Sequence, residues 1–252
     1  MKQLIYILAF IGSTLTFAQN NQLFDKANTL YNEANYTQAL EIYKTVLGSG
    51  EHSAELYFNM ANAHYKLNHI APSIYYYEKA LLLKPNDKDI KNNIAFARNM
   101  TVDAIDSVPE VGISKLIKNS TNMMSFDAWA KTSISFVLLF VVLFIAYYFT
   151  YSTSKKRFTF LTSNLSLVLA IVSLVFAFHK FKLVSNDQPA IVFAQETKIK
   201  SEPNLRSAEA FVLHEGTKVQ VLDTVSNWKK IKLSDGKTGW ITNDDIKMLK
   251  TF

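Results

Sequence analysis

Two stretches without formal charge, Thr132 to Ser154 and Phe158 to His179, are separated only by Lys155-Lys156-Arg157. Each is about 22 residues long, enough for a helix to cross roughly 30 Å of hydrocarbon at about 1.5 Å per residue. Ser133 to Tyr148 reads Ser-Ile-Ser-Phe-Val-Leu-Leu-Phe-Val-Val-Leu-Phe-Ile-Ala-Tyr-Tyr and has no polar stripe, so no face of such a helix suits water. The pattern predicts a two-helix transmembrane hairpin, with spans over 131–152 and 159–179 and a loop at 153–158. Trp129, Tyr147, Tyr148 and Tyr151 suit the two interfaces of the first span.

The formal net charge is +6, and its distribution argues against nucleic acid. Residues 19–108 carry 8 basic and 10 acidic side chains, and residues 183–252 carry 10 and 9. The excess lies in 109–182, with 8 basic against 2 acidic, where lipid headgroups and membrane topology call for cations. There are no cysteines, which excludes disulfides, thiolate metal sites and a cysteine nucleophile. At the N-terminus, Met1-Lys2-Gln3 precedes an apolar run from Leu4 to Ile11 and then Thr16-Phe17-Ala18. This reads as a secretory signal peptide over 1–18, with Gln19 opening the mature chain; an uncleaved anchor would export the next domain equally. Both soluble parts then lie outside, and Lys155 to Arg157 faces the cytoplasm.

A shift of 34 residues superposes one part of the chain on the next. Phe24 falls on Phe58, Ala27 on Ala61, Asn28 on Asn62, Tyr31 on Tyr65, Tyr43 on Tyr77 and Leu47 on Leu81. Small residues (Ala27, Ala61, Ala39, Ser73) stand where two antiparallel helices must approach closely, and Tyr43 and Tyr77 fill the gap to the next pair. The pattern Ala-Asn-x-x-Tyr, Tyr-x-x-Ala-Leu, Tyr-x-x-Val-Leu resembles the tetratricopeptide repeat over Gln22 to Pro85, with Asp87 to Met100 as a terminal capping helix. The resemblance implies an α-solenoid over 19–105 whose concave face presents Phe24, Asp25, Asn28, Tyr31 and Asn32, then Phe58, Asn59, Asn62, Tyr65 and Lys66. Asn92, Asn93, Phe96 and Asn99 follow on the capping helix. Asparagine carboxamides both donate and accept, which suits the backbone of an extended peptide. Helix packing and solvation are the competing reading. Some members of the family grip a terminal carboxylate with several Lys or Arg; only Lys66 stands at such a position here.

Residues 106–130 read as a connector, in preference to an amphipathic segment lying on the outer leaflet. Asp127, beside Trp129, marks the start of the first long helix. Beyond it the periodicity changes to short β-type runs at Ala190 to Phe193, Val219 to Leu222, Trp228 to Leu233 and Gly239 to Thr242. Turn-rich stretches separate them, and short strands at this spacing predict a small barrel over 186–252. Leu205-Arg-Ser, His214-Glu-Gly-Thr-Lys-Val-Gln-Val-Leu, Asn227-Trp-Lys-Lys-Ile-Lys-Leu and Asp235-Gly-Lys-Thr-Gly-Trp-Ile resemble a bacterial SH3-like domain. Trp228 and Trp240 would then be barrel or groove aromatics, with core packing the simpler reading. Such domains often help bind cell-wall peptides or protein segments.

No catalytic constellation emerges. His64 and His69 lack the spacing that puts two metal ligands on one helical face, and neither a phosphate-binding loop nor a nucleophile elbow occurs. The expectation is a non-enzymatic chain without cofactor or metal. Ser163, Asn164, Ser166 and Ser173 in the second span are read as groups that hydrogen-bond the neighbouring helix.

The fold class is thus a multi-domain α + β membrane protein: tetratricopeptide solenoid, transmembrane hairpin and SH3-like β-barrel. This order resembles the BatE-type proteins of bacterial aerotolerance (Bat) operons. That likeness implies an inner-membrane scaffold or adaptor with periplasmic terminal domains, working beside von Willebrand A-type membrane proteins and a MoxR-type ATPase. The alternative is a cell-wall adaptor whose SH3-like domain binds peptidoglycan peptides. A regulator signalling inward is disfavoured by the very short cytoplasmic segment.

Overall fold

A computed structural model of the chain describes residues 20–105 and 112–250; the signal-peptide segment lies outside them. The chain divides into two compact units, one made of the N-terminal part with residues from Gln188 onward, the other running from Val108 to Asp187.

The first unit opens with helix α1 (20–32), followed by α2 (Tyr36–Gly48), α3 (Ala54–Lys66), α4 (Ile70–Leu83) and α5 (Lys88–Arg98). The repeat seen in the sequence is a repeat of conformation as well. The turns within the two helix pairs place Ala34 at φ 61° and Asn68 at φ 59°, one repeat apart. Ala27, Ala39, Ala61 and Ala71 are fully or almost fully buried, so helices meet with little between their backbones, and Tyr43, Tyr57 and Tyr77 fill the space between pairs. Ser53 caps α3 by accepting from the Leu56 N–H. Asp87 caps α5 by accepting from Asp89 and Ile90, as a helix N-terminus requires.

After Gln188 come β1 (Pro189–Val192), β2 (Glu196–Lys200), β3 (Glu209–His214), β4 (Lys218–Val225), β5 (Trp228–Lys232), β6 (Thr238–Thr242) and β7 (Ile246–Met248). They form one antiparallel sheet in the order β3-β2-β6-β5-β4-β1-β7. The expected barrel is corrected here: the sheet is not closed. Strand β2 meets β6 through the single pair Lys200↔Trp240, next to an irregularity at Ile199/Lys200, and β7 is only three residues long. The β1–β7 end is covered by helices instead. Ile191 and Leu249 are fully buried and belong to the same apolar cluster as Tyr57, Ile74, Tyr77 and Ile94. Tyr75 packs edge-on against Phe193 at 5.6 Å and donates its hydroxyl to the Met248 carbonyl at 3.3 Å. Covering a strand edge in this way removes a template for unwanted pairing.

Polar groups tie the same joint. The buried Glu78 carboxylate accepts from Arg98 Nη2 at 2.6 Å and from Lys218 Nζ at 2.7 Å. Asp103 accepts from Thr217 Oγ1 at 2.6 Å and from the His214 backbone N–H at 2.7 Å, and lies 2.8 Å from His214 Nδ1.

In the second unit, α6 (Ile113–Asn122) is a helix where the sequence favoured an irregular connector. Helices α7 (Phe126–Phe149) and α8 (Thr153–Asn186) are both long and apolar enough to cross a membrane. They pack antiparallel through a row of small buried residues on α8: Ser163, Ser166, Ala170, Ser173 and Ala177. Ser133 Oγ donates to the Ala170 carbonyl at 2.9 Å, and Ser166 Oγ donates to the Phe136 carbonyl at 2.8 Å. Asn164 turns back onto the Phe160 carbonyl of its own helix. The turn differs from the sequence reading. It spans Thr150 to Ser152, and Lys155 to Arg157 lie within the opening turns of α8 because nothing in Ser-Lys-Lys-Arg resists helix formation.

Gly216 supplies the sharpest test of the joint within the first unit. Its φ is +84°, and a Cβ there would meet Ile74 Cδ1 and Thr101 Cγ2 at 2.9 Å. Gly236 has φ +94° but open space around it. Gly216→Ala is therefore expected to cost about 2–4 kcal/mol and Gly236→Ala about 1–2 kcal/mol, measured by urea unfolding of the detergent-solubilised chain followed by tryptophan fluorescence. Equal costs would show that the helix–sheet contact carries no packing.

Candidate functional site

On the concave side of the helical repeats, a cavity of about 360 Å³ is lined by Tyr31, Phe58, Asn62, Tyr65, Lys66, Tyr77, Asn93 and Phe96. Seven of these residues are ones the sequence placed on the groove. Tyr77, expected only to fill the gap between helix pairs, also lines it. Phe24, Asn28, Asn32 and Asn59 are not part of this lining. Phe24 packs on Tyr43 at 5.8 Å, and Asn32 is exposed.

The asparagines form a network that itself repeats. Asn28 Oδ1 accepts from Tyr43 Oη at 2.6 Å and from Asn59 Nδ2 at 2.9 Å. One repeat later, Asn62 Oδ1 accepts from Tyr77 Oη and, at 2.9 Å, from Asn93 Nδ2. Each network joins the two helices of one pair to the first helix of the next. Half of the polar capacity of these carboxamides thus goes to fixing the helices. What remains for a ligand is the donor side of Asn28 and Asn62 and the acceptor side of Asn59 and Asn93. Burial pushes the Tyr43 hydroxyl up to about 12 and the Tyr77 hydroxyl upward as well, so both stay neutral donors. The groove offers aromatic walls, neutral hydrogen-bonding groups and one cation, Lys66. That chemistry fits an uncharged extended backbone with apolar side chains.

The two tryptophans of the sheet lie outside its buried cluster. Residues facing each other across an antiparallel ladder share a face. The pairings run Glu209↔Lys200↔Trp240↔Lys230↔Asp223 across five strands, with Trp228 opposite Thr242 and Val225 one step along. Ile231 and Ile241 point to the other face, into the core. Trp228 and Trp240 are half-buried in a surface of alternating charge, so the core-packing expectation is corrected. The signal was present in Trp228-Lys-Lys-Ile-Lys-Leu, where Trp228 shares its parity with Lys230 and Lys232 while Ile231 and Leu233 share the other.

His64 near the end of α3 and His69 just before α4, five residues apart, meet at 3.1 Å through their Nδ1 atoms. The His64 ring stacks on Tyr76 at 5.5 Å. Among the described residues no group of three or more His, Cys, Asp or Glu could hold a metal ion.

The bacterial SH3 domain family matches residues 196–247, and the tetratricopeptide repeat family matches residues 54–87. None of the curated proteins compared with the chain matches it. Modules of these two kinds point to protein-interaction or adaptor roles.

The acid side of the stability curve is expected to fall in two stages. Burial, with His69, Lys44 and Lys247 nearby, pushes the His64 imidazole from 6.5 down to about 4. The unfolded chain takes up that proton first, so stability declines as pH falls from 6.5 towards about 4. For Asp103, partial burial opposes ionisation, but hydrogen bonds from Thr217 and His214 together outweigh it and hold the carboxyl below 3.8. Its contribution is present above 3.8 and is lost as pH falls through the folded value. His64→Phe should remove the upper stage alone and Asp103→Asn the lower, in unfolding midpoints measured against pH.

Proposed function

We propose that this chain is a non-enzymatic scaffold of the bacterial cell envelope, anchored in the inner membrane by α7 and α8, whose repeat groove holds an extended segment of a protein partner. The observation that carries this reading is the concave cavity itself: aromatic walls from Tyr31, Phe58, Tyr65 and Phe96 around the carboxamides of Asn62 and Asn93. Peptide groups need paired donors and acceptors, and apolar side chains need aromatic surface; this cavity offers both. The order of modules supports a Bat-type envelope complex linked to aerotolerance. The partners there would be von Willebrand A-type membrane proteins served by a MoxR-type ATPase.

A second reading, a cell-wall adaptor, is favoured by the placement of Trp228 and Trp240 away from the core. One experiment separates the two. A photo-crosslinking phenylalanine analogue is placed at Tyr65, at Trp240 or at the exposed Lys44 of the full chain in native membranes. Protein adducts of discrete mass are expected from position 65 and not from 44, with the yield falling roughly tenfold in Phe96→Ala. Peptidoglycan fragments on position 240 with no protein on 65 would replace the scaffold by the adaptor.

The shared core supports both terminal parts on one side of the membrane, and the signal-peptide reading makes that side the periplasm. Residues before and after the hairpin share the apolar cluster containing Ile74, Ile191 and Leu249, which demands an even number of crossings between them. In this cysteine-free chain, Lys44→Cys and Lys237→Cys are both expected to react with an impermeant maleimide in intact spheroplasts. Protection of either until the bilayer is ruptured would defeat the proposed sidedness.

A further inference from the structure

At the turn of the hairpin, a cavity of about 460 Å³ is lined by Tyr147, Tyr151, Thr153, Lys156, Arg157 and Phe160. Its floor is aromatic: Tyr147 and Phe160 have ring centroids 5.5 Å apart, and Lys156 Nζ stands 5.1 Å from the Tyr147 ring. Its rim is cationic and hydroxylated. No Asp or Glu occurs from Ala128 to Asn186, so neither helix supplies a carboxylate to Lys156 or Arg157. Among the described residues neither Lys156 nor Arg157 has an ion-pair partner, and two cations beside a low-dielectric phase call for an anion from outside the chain.

We infer that this cavity binds the phosphate of an anionic phospholipid. Arg157 and Lys156 would donate to the phosphodiester oxygens, an arrangement guanidinium groups favour. The hydroxyls of Tyr147, Tyr151 and Thr153 supply neutral donors for the same group or its glycerol. A lipid is the occupant, rather than free phosphate, because the aromatic floor continues into exposed apolar surface. Phe144 lies 5.9 Å from Tyr147, and Phe144 and Leu161 are exposed, which gives acyl chains a path along the helices. Basic pockets between spanning helices on the cytoplasmic side have this chemistry.

The inference rests on α7 and α8 spanning a bilayer, and the test keeps the two apart. The full chain, purified in nonionic detergent, is titrated with phosphatidylglycerol, phosphatidylcholine and glycerol 3-phosphate, with binding read by native mass spectrometry. Phosphatidylglycerol should bind roughly tenfold or more tightly than phosphatidylcholine. Lys156→Gln combined with Arg157→Gln should abolish that preference. Lys155→Gln removes the same charge from a residue outside the cavity lining and should leave the preference within about twofold. A general positive-charge effect on topology would treat Lys155 and Lys156 alike, so equal losses overturn the site. Displacement of the lipid by glycerol 3-phosphate at matched concentration overturns the lipid assignment. Retention of the chain in membranes after alkaline extraction reports spanning independently. A chain that is retained yet shows no headgroup preference overturns the cavity reading alone, and one released by alkali overturns both.

Discussion

Burial of Ile191 and Leu249 against the helices is the contact on which the first unit of this molecule depends. A solenoid of two helix pairs and a capping helix has open faces, since each pair expects a neighbour to cover it. Here the outer side of α4 receives the β1–β7 end of the sheet in place of another pair. Each of the two aliphatic side chains contributes about 1.5–3 kcal/mol of burial. The sheet gains equally, because its short last strand would otherwise leave an unprotected edge. Neither part is finished without the other, and at Gly216 the sheet side approaches Ile74 and Ile70 so closely that no Cβ fits.

The polar ties around that contact do a different job. Glu78 is almost fully buried between Arg98 and Lys218, and taking such charges from water offsets most of what their attraction returns. Their value lies in direction: a carboxylate with one cation from α5 and one from β4 accepts only one alignment of helix and strand. Asp103 repeats the device just beyond α5, collecting donors from His214 and Thr217 at the end of β3 and the start of β4. Burial sets the strength of the joint, and these carboxylates set its register.

Much of this was legible in the sequence, for reasons that differ from element to element. The helical repeats could be read because small and large residues recur together at one spacing, and the asparagine–tyrosine networks follow the same spacing. The hairpin could be read because apolar composition without a polar stripe has few other uses. The open sheet could not. Strands β2 and β3 bury fully only Ile199 and Leu213, so their alternation is too faint to register, and closure depends on long-range pairing that no local pattern encodes. The roles of Glu78 and Asp103 had no local signal, because Lys218, which donates to Glu78, and Thr217 and His214, which donate to Asp103, lie more than a hundred positions away. The groove was partly legible. Tyr77 was assigned to packing alone although it also faces the cavity, and the carboxamides of Asn28 and Asn59 are engaged with Tyr43 and each other.

The shared core also constrains how such a chain can be made. Residues up to Ile105 emerge before the hairpin and residues from Gln188 after it, yet Ile74 and Ile191 finish in one cluster. A soluble pair of helices would impose no order on this. A spanning pair does: the first part must cross and wait with the outer side of α4 uncovered until both spans are inserted and the second part has followed. During that interval Ile74, Tyr75 and Tyr77 lack their final covering, the situation in which exposed apolar surface recruits partners. An odd number of crossings would leave the two halves of the core on opposite sides permanently. If α7 and α8 span a bilayer as proposed, two crossings are the fewest between the halves that let the core close.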